Sequence, residues 1–274
     1  MKRFEQFSAK HPVAFGFVIT FVFIVMVIVS AILGNLWPGE ESYGQPGNIL
    51  GRLISVVILL ILLFHLGWLR SAGLTKLGTL GTWAISVLLL AYSVAILSYA
   101  LTGKIDPGLF SSELSAPVIL FILLAALMEE VVFRGLVLQA LVRAWGSAQI
   151  GIIKSVLVSS LFFCSIHLFD LLGGRSLSAV FLQSLEAFFL GIMLGALVLS
   201  GKSIYPAVLL HGILNLSAYL LIENTGGVEP ASTSWLLMSL FMLPLALYGL
   251  YLLRGLSLQF AQSNSAMSNE YSGR

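Results

Sequence analysis

Three short stretches of this chain hold side chains able to move protons and stabilise charge. The first reads Leu127-Met128-Glu129-Glu130-Val131-Val132-Phe133-Arg134-Gly135, the second Phe163-Cys164-Ser165-Ile166-His167 and the third His211-Gly212-Ile213-Leu214-Asn215. A carboxylate, two imidazoles and a carboxamide are what amide hydrolysis requires: a proton acceptor beside a water, and donors where the oxyanion develops. Helical geometry sorts the two glutamates. At about 100° per residue, Glu130 and Arg134 lie about 40° apart and can pair, as i and i+4 residues do. Glu129 points about 100° away from Glu130 and about 140° away from Arg134. The expected arrangement is an internal Glu130–Arg134 ion pair in a supporting role, with Glu129 left for chemistry. By the same rule Phe163 shares a helix face with His167, and His211 with Asn215.

The elements that must carry these groups are membrane helices. Of the 274 residues only 9% are charged and 58% are hydrophobic, and the mean hydropathy is +1.01. Soluble domains carry roughly 25% charged residues, so lipid is the natural solvent for most of this surface. A spanning helix needs about 20 apolar residues, and eight segments supply them, near 12–33, 48–69, 79–101, 116–141, 149–169, 178–200, 204–222 and 234–254. Breaks such as Trp37-Pro38-Gly39, Asp106-Pro107-Gly108 and Gly173-Gly174 separate them. Short loops make consecutive helices neighbours, so the expected fold is an all-α transmembrane bundle over residues 1–256, with its motif-bearing core at about 116–222. The polar, Ser/Asn-rich stretch 257–274 is expected to be disordered.

Orientation follows from the basic residues. With the N-terminus cytoplasmic, that side receives Lys2, Arg3, Lys10, Arg70, Lys76, Arg143, Lys154, Lys202, Arg254 and Arg274, and the other only Arg52, Lys104 and Arg175. Both termini are therefore expected in the cytoplasm of a multi-pass protein of the cell membrane. The apolar run after Lys10 exceeds the 7–15 residues of a typical signal peptide core, which predicts a retained first helix. A net charge of +2 gives no basis for a nucleic-acid partner, and the single Cys164 excludes an internal disulfide framework. The sequence has no evident internal repeat, which lowers the expectation of a secondary transporter.

Each polar residue also has a structural use when taken singly. Glu130 and Arg134 could be a neutralising pair and nothing more. A histidine or Asn215 could serve as a hydrogen bond between helices. Glu186, in the sixth helix, has no evident partner and reads as a protonated or water-lined carboxyl. Gly191 and Gly195 form a small-xxx-small pair that lets helices approach closely. The helix limits put Glu129 near mid-membrane, with His167 toward the outer face and His211 toward the inner.

Taken together and in order, Glu129-Glu130-x-x-x-Arg134, Phe163-x-x-x-His167 and His211-x-x-x-Asn215 resemble the three motifs of the CAAX protease and bacteriocin-processing family, which includes the type II CAAX prenyl endopeptidases. The similarity spans about residues 116–216. The resemblance implies an intramembrane endopeptidase acting on peptides or on membrane-anchored proteins, lipid-anchored ones among them. It implies that Glu129, with His167, activates the hydrolytic water, and that His211 and Asn215 stabilise the oxyanion. His167, His211 and Glu129 could also form a three-ligand zinc site. The helical His-Glu-x-x-His zinc signature is absent, and a glutamate-dependent mechanism without metal is the favoured expectation. A non-catalytic scaffold, immunity-type factor or permease on the same fold is the alternative, set against it by the intact motif residues.

Overall fold

A computed structural model describes residues 2–37, 44–100, 115–148, 150–224, 236 and 239–256. The protein is all-helical, with no strand among the described residues. In chain order the helices are α1 (Lys2–Lys10), α2 (Pro12–Asn35), α3 (Pro46–His65), α4 (Leu80–Ala100), α5 (Ala116–Glu130), α6 (Leu138–Trp145), α7 (Gly151–Ser165), α8 (Leu177–Gly201), α9 (Tyr205–Asn224) and α10 (Ser239–Leu256). A π-helical segment, Val131–Val137, joins α5 to α6, and a 3₁₀ segment, Ile166–Leu171, continues α7. Each of the eight expected segments contains helix over the residues described there. Among the described residues six helices are long and apolar enough to cross a membrane, while the apolar part of α9, Tyr205–Leu220, is shorter. The amphipathic α1 was not foreseen. The expectation of a disordered 257–274 tail lies outside the described residues.

The chain starts its helices by ordinary means. Proline stands in the first turn of α2, α3 and α5, where its missing N–H costs no hydrogen bond. Ser176 caps α8 by accepting the amide of Ala179 at 3.3 Å. One face of α2 turns Phe17, Phe21, Ile28 and Ile32 outward, all more than half exposed, as lipid contact demands. Its other face buries Phe15, Ile19 and Phe23.

Lipid is as apolar as leucine, so helices in it associate by close packing and hydrogen bonds instead of by the hydrophobic effect. The expected Gly191–Gly195 pair serves that end. A Cβ on Gly191 would stand 2.9 Å from Ser160, and one on Gly195 3.0 Å from Val156, so both glycines seat α8 directly on α7. Gly191→Val is expected to destabilise the detergent-solubilised protein by about 1–3 kcal/mol, the usual range for overpacking. Gly255→Ala, where a Cβ meets nothing within 4 Å, should leave the melting midpoint unchanged. Equal midpoints for both variants would show that the α7–α8 contact tolerates a side chain.

The α5–π–α6 helix occupies the middle of the bundle, and every residue from Glu130 to Leu141 is buried. A π turn leaves backbone carbonyls without their α-helical partners and is common at functional sites. Here Ser159 on α7 donates its hydroxyl to the Phe133 carbonyl at 2.8 Å, which satisfies one of them. The wide turn begins directly after Glu129 and Glu130.

Candidate active site

Glu130 is fully buried, and Arg134 Nη1 stands 2.9 Å from its Oε1, the expected i, i+4 pair. The guanidinium also covers the face of Phe163 on α7, 4.4 Å from the ring centre. Glu130 Oε1 takes a second donor, His211 Nδ1 of α9, at 2.8 Å. One carboxylate oxygen thus binds helix α5 to both the π segment and α9.

Glu129 faces the other side of the same imidazole. Its Oε2 lies 3.5 Å from His211 Nε2, and its side chain keeps 15% exposure where Glu130 keeps none. His211 therefore stands between two glutamates, one at each ring nitrogen. Glu130 is thus fully buried against Arg134 and His211, while Glu129 keeps contact with the cavity.

His167 reaches the same place from the 3₁₀ segment after α7. The ring of Phe163 packs T-shaped against both histidines, 5.8 Å from His167 and 5.5 Å from His211 between ring centres. Gln183 of α8 hydrogen-bonds His167 through Nε2 and Nδ1, 3.1 Å apart. Glu129, His167, His211 and Asn215 all line one cavity of about 130 Å³, room for a few waters, and Gln183 and Glu186 line it too. The spread in depth that the sequence limits gave His167 and His211 does not keep them from one cavity. Gln183 was missed because a neutral amide carries no charge to draw notice. Its position three residues before Glu186, hence on the same helix face, was the available signal.

The chemical capacity of this arrangement is that of a hydrolytic site. A carboxylate, two imidazoles and a carboxamide converge from α5, the 3₁₀ segment and α9 around a space that water can enter. Among the described residues no group of three or more His, Cys, Asp or Glu side chains is placed to hold a metal ion. Of the groups suggested for zinc, His211 meets Glu130 through Nδ1 and His167 meets the Gln183 amide through Nδ1.

Residues 111–217 match the family described as "Rce1-like: Type II CAAX prenyl endopeptidase Rce1-like". The matched stretch contains every one of the residues from Glu129 to Asn215 named above. No curated protein and no solved structure matches the chain.

Proposed function

We propose, from the match of residues 111–217 to the Rce1-like, type II CAAX prenyl endopeptidase family, that this multi-pass membrane protein is a glutamate-dependent endopeptidase whose cavity opens among its helices. The observation that carries this reading is the unequal state of the two glutamates. Glu130 is consumed by Arg134 and His211 Nδ1, whereas Glu129 faces the cavity.

In this reading Glu129 takes a proton from a cavity water as its oxygen bonds to the scissile carbonyl carbon. His167 stands beside them. The oxyanion so formed accepts hydrogen bonds from Asn215 and His211. His211 donates from Nε2 only as the imidazolium, since Glu130 occupies Nδ1. Two carboxylates flanking that ring complement its charge, and together with Arg134 they make a neutral set, as a buried cluster requires. Collapse of the tetrahedral species breaks the C–N bond, and Glu129 returns its proton to the leaving amine.

Asn215→Ala is expected to lower kcat by about 10²–10³, the usual effect of losing one oxyanion donor, with KM little changed. Steady-state kinetics on a cleaved peptide check it, and a change confined to KM would assign Asn215 to substrate binding instead. The family's description supports prenylated C-terminal peptides as the first substrates to test, beside leader-type peptides. The distribution of basic residues supports termini on the cytoplasmic side of the cell membrane.

The deciding experiment incubates purified protein with a quenched library of both peptide types, with and without a chelator. Cleavage that ignores the chelator supports the glutamate mechanism. Chelator-sensitive cleavage would recast Glu129, His167 and His211 as zinc ligands. No cleavage of any member would move the protein to the non-catalytic reading.

A further inference from the structure

The residues behind His167 bear on which proton it carries. His167 and Asp170 both lie on the 3₁₀ segment, and the chain then turns through Gly173-Gly174 into α8. Arg175, at that turn, holds Asp170 Oδ2 with Nη1 at 3.0 Å and bonds the Gln183 carboxamide oxygen with the same nitrogen. Gln183 Nε2 then lies 3.1 Å from His167 Nδ1. These contacts close a ring from the segment, through Arg175 and Gln183, back to the segment.

The chemistry of the ring runs in one direction. A guanidinium has donors only, so the Gln183 atom it meets must be the oxygen. The opposite end of the amide is then the NH₂, which also only donates. His167 Nδ1 must accept that bond, and a neutral imidazole that accepts at Nδ1 carries its proton at Nε2. His211 differs at Nδ1, because Glu130 is an acceptor and claims an N–H there.

We infer that the Asp170–Arg175–Gln183 relay fixes His167 with its proton on Nε2, so that His167 enters the cavity as a hydrogen-bond donor and Glu129, not His167, accepts the proton of water. Gln183 is a positioning residue: it acts through His167. The tautomer follows from contacts outside the reaction, whereas the role in catalysis rests on the endopeptidase reading. The donor bond holds the water, or the oxygen it becomes part of, in place while Glu129 removes the proton.

Nitrogen-15 NMR of the full chain in lipid nanodiscs, labelled at histidine, tests the tautomer without substrate. The His167 signals are assigned by their loss in His167→Asn. The wild type should show an unprotonated Nδ1 and a protonated Nε2 at His167. Gln183→Glu, a carboxylate that can only accept, should move the proton to Nδ1, and Arg175→Lys, which keeps a donor on the Gln183 oxygen, should not. A wild-type His167 protonated at Nδ1 overturns the inference whether or not any variant folds. On a cleaved peptide, Gln183→Glu should lower kcat by about 10²-fold, as removal of a donor does, with KM nearly constant. An unchanged kcat with a shifted proton would overturn the donor role and leave Glu129 as base untouched.

Discussion

Glu129→Gln is expected to lower peptide cleavage by about 10²–10⁴-fold, the contribution typical of a positioned general base, while the protein melts as the wild type does. The substitution keeps size and shape but removes the lone pair that receives the proton of water. Little structure is at stake, because among the described residues the side chain has no ion pair shorter than the 3.5 Å to His211 Nε2, and it keeps contact with the cavity. Glu130→Gln makes the same chemical change one residue along and should read out differently. It leaves Arg134 buried opposite a neutral amide and disturbs the Nδ1 bond of His211. Its first signature is therefore a lowered melting midpoint. Should Glu130→Gln abolish cleavage at full stability while Glu129→Gln retains it, the two glutamates exchange roles.

Arg134→Met is expected to destabilise the bundle by about 3–5 kcal/mol, the range for removing one partner of a buried ion pair. Glu130 has no exposure, and its Oε2 already lacks a hydrogen-bond partner among the described residues, so no solvent or spare donor stands ready to replace the guanidinium. The face of Phe163 loses its cation as well. Adding Glu130→Gln to Arg134→Met removes the stranded charge and should recover part of the loss. Thermal melting of the single and double variants in one detergent measures both effects. A single variant as stable as the wild type would mean that another group neutralises Glu130.

What could be read from residue types alone has a physical pattern. Charges in a lipid-bound chain are expensive, so Glu129, Glu130, Arg134, His167 and His211 stood out, and i, i+4 spacing sufficed to pair Glu130 with Arg134. The eight helical segments followed from hydropathy because backbone groups in lipid must be satisfied within a helix. The π segment left no such mark. Val131-Val132-Phe133 reads as an ordinary apolar helix, and its wide turn is tied to tertiary contact, with Ser159 reaching the Phe133 carbonyl across from α7. The 3₁₀ winding under His167 was hidden for a similar reason, as was Gln183, whose meaning depends on Arg175 meeting its oxygen. Local pattern named the charged actors; the neutral parts that orient them are visible only once the helices are packed.

The π segment also splits one helix into two angular registers. Upstream, α5 aims Glu129 and Glu130; downstream, α6 aims the residues that pack toward α1 and α7. Were the same seven residues, Val131–Val137, wound as plain α-helix, nothing in the run's length or apolarity would look wrong. The downstream half would nonetheless turn by about one α-helical step, roughly 100°, against the glutamates. The wide turn thus works as an indexing tooth: it sets the angle between the acid end of the helix and its far half without changing the chemistry of either.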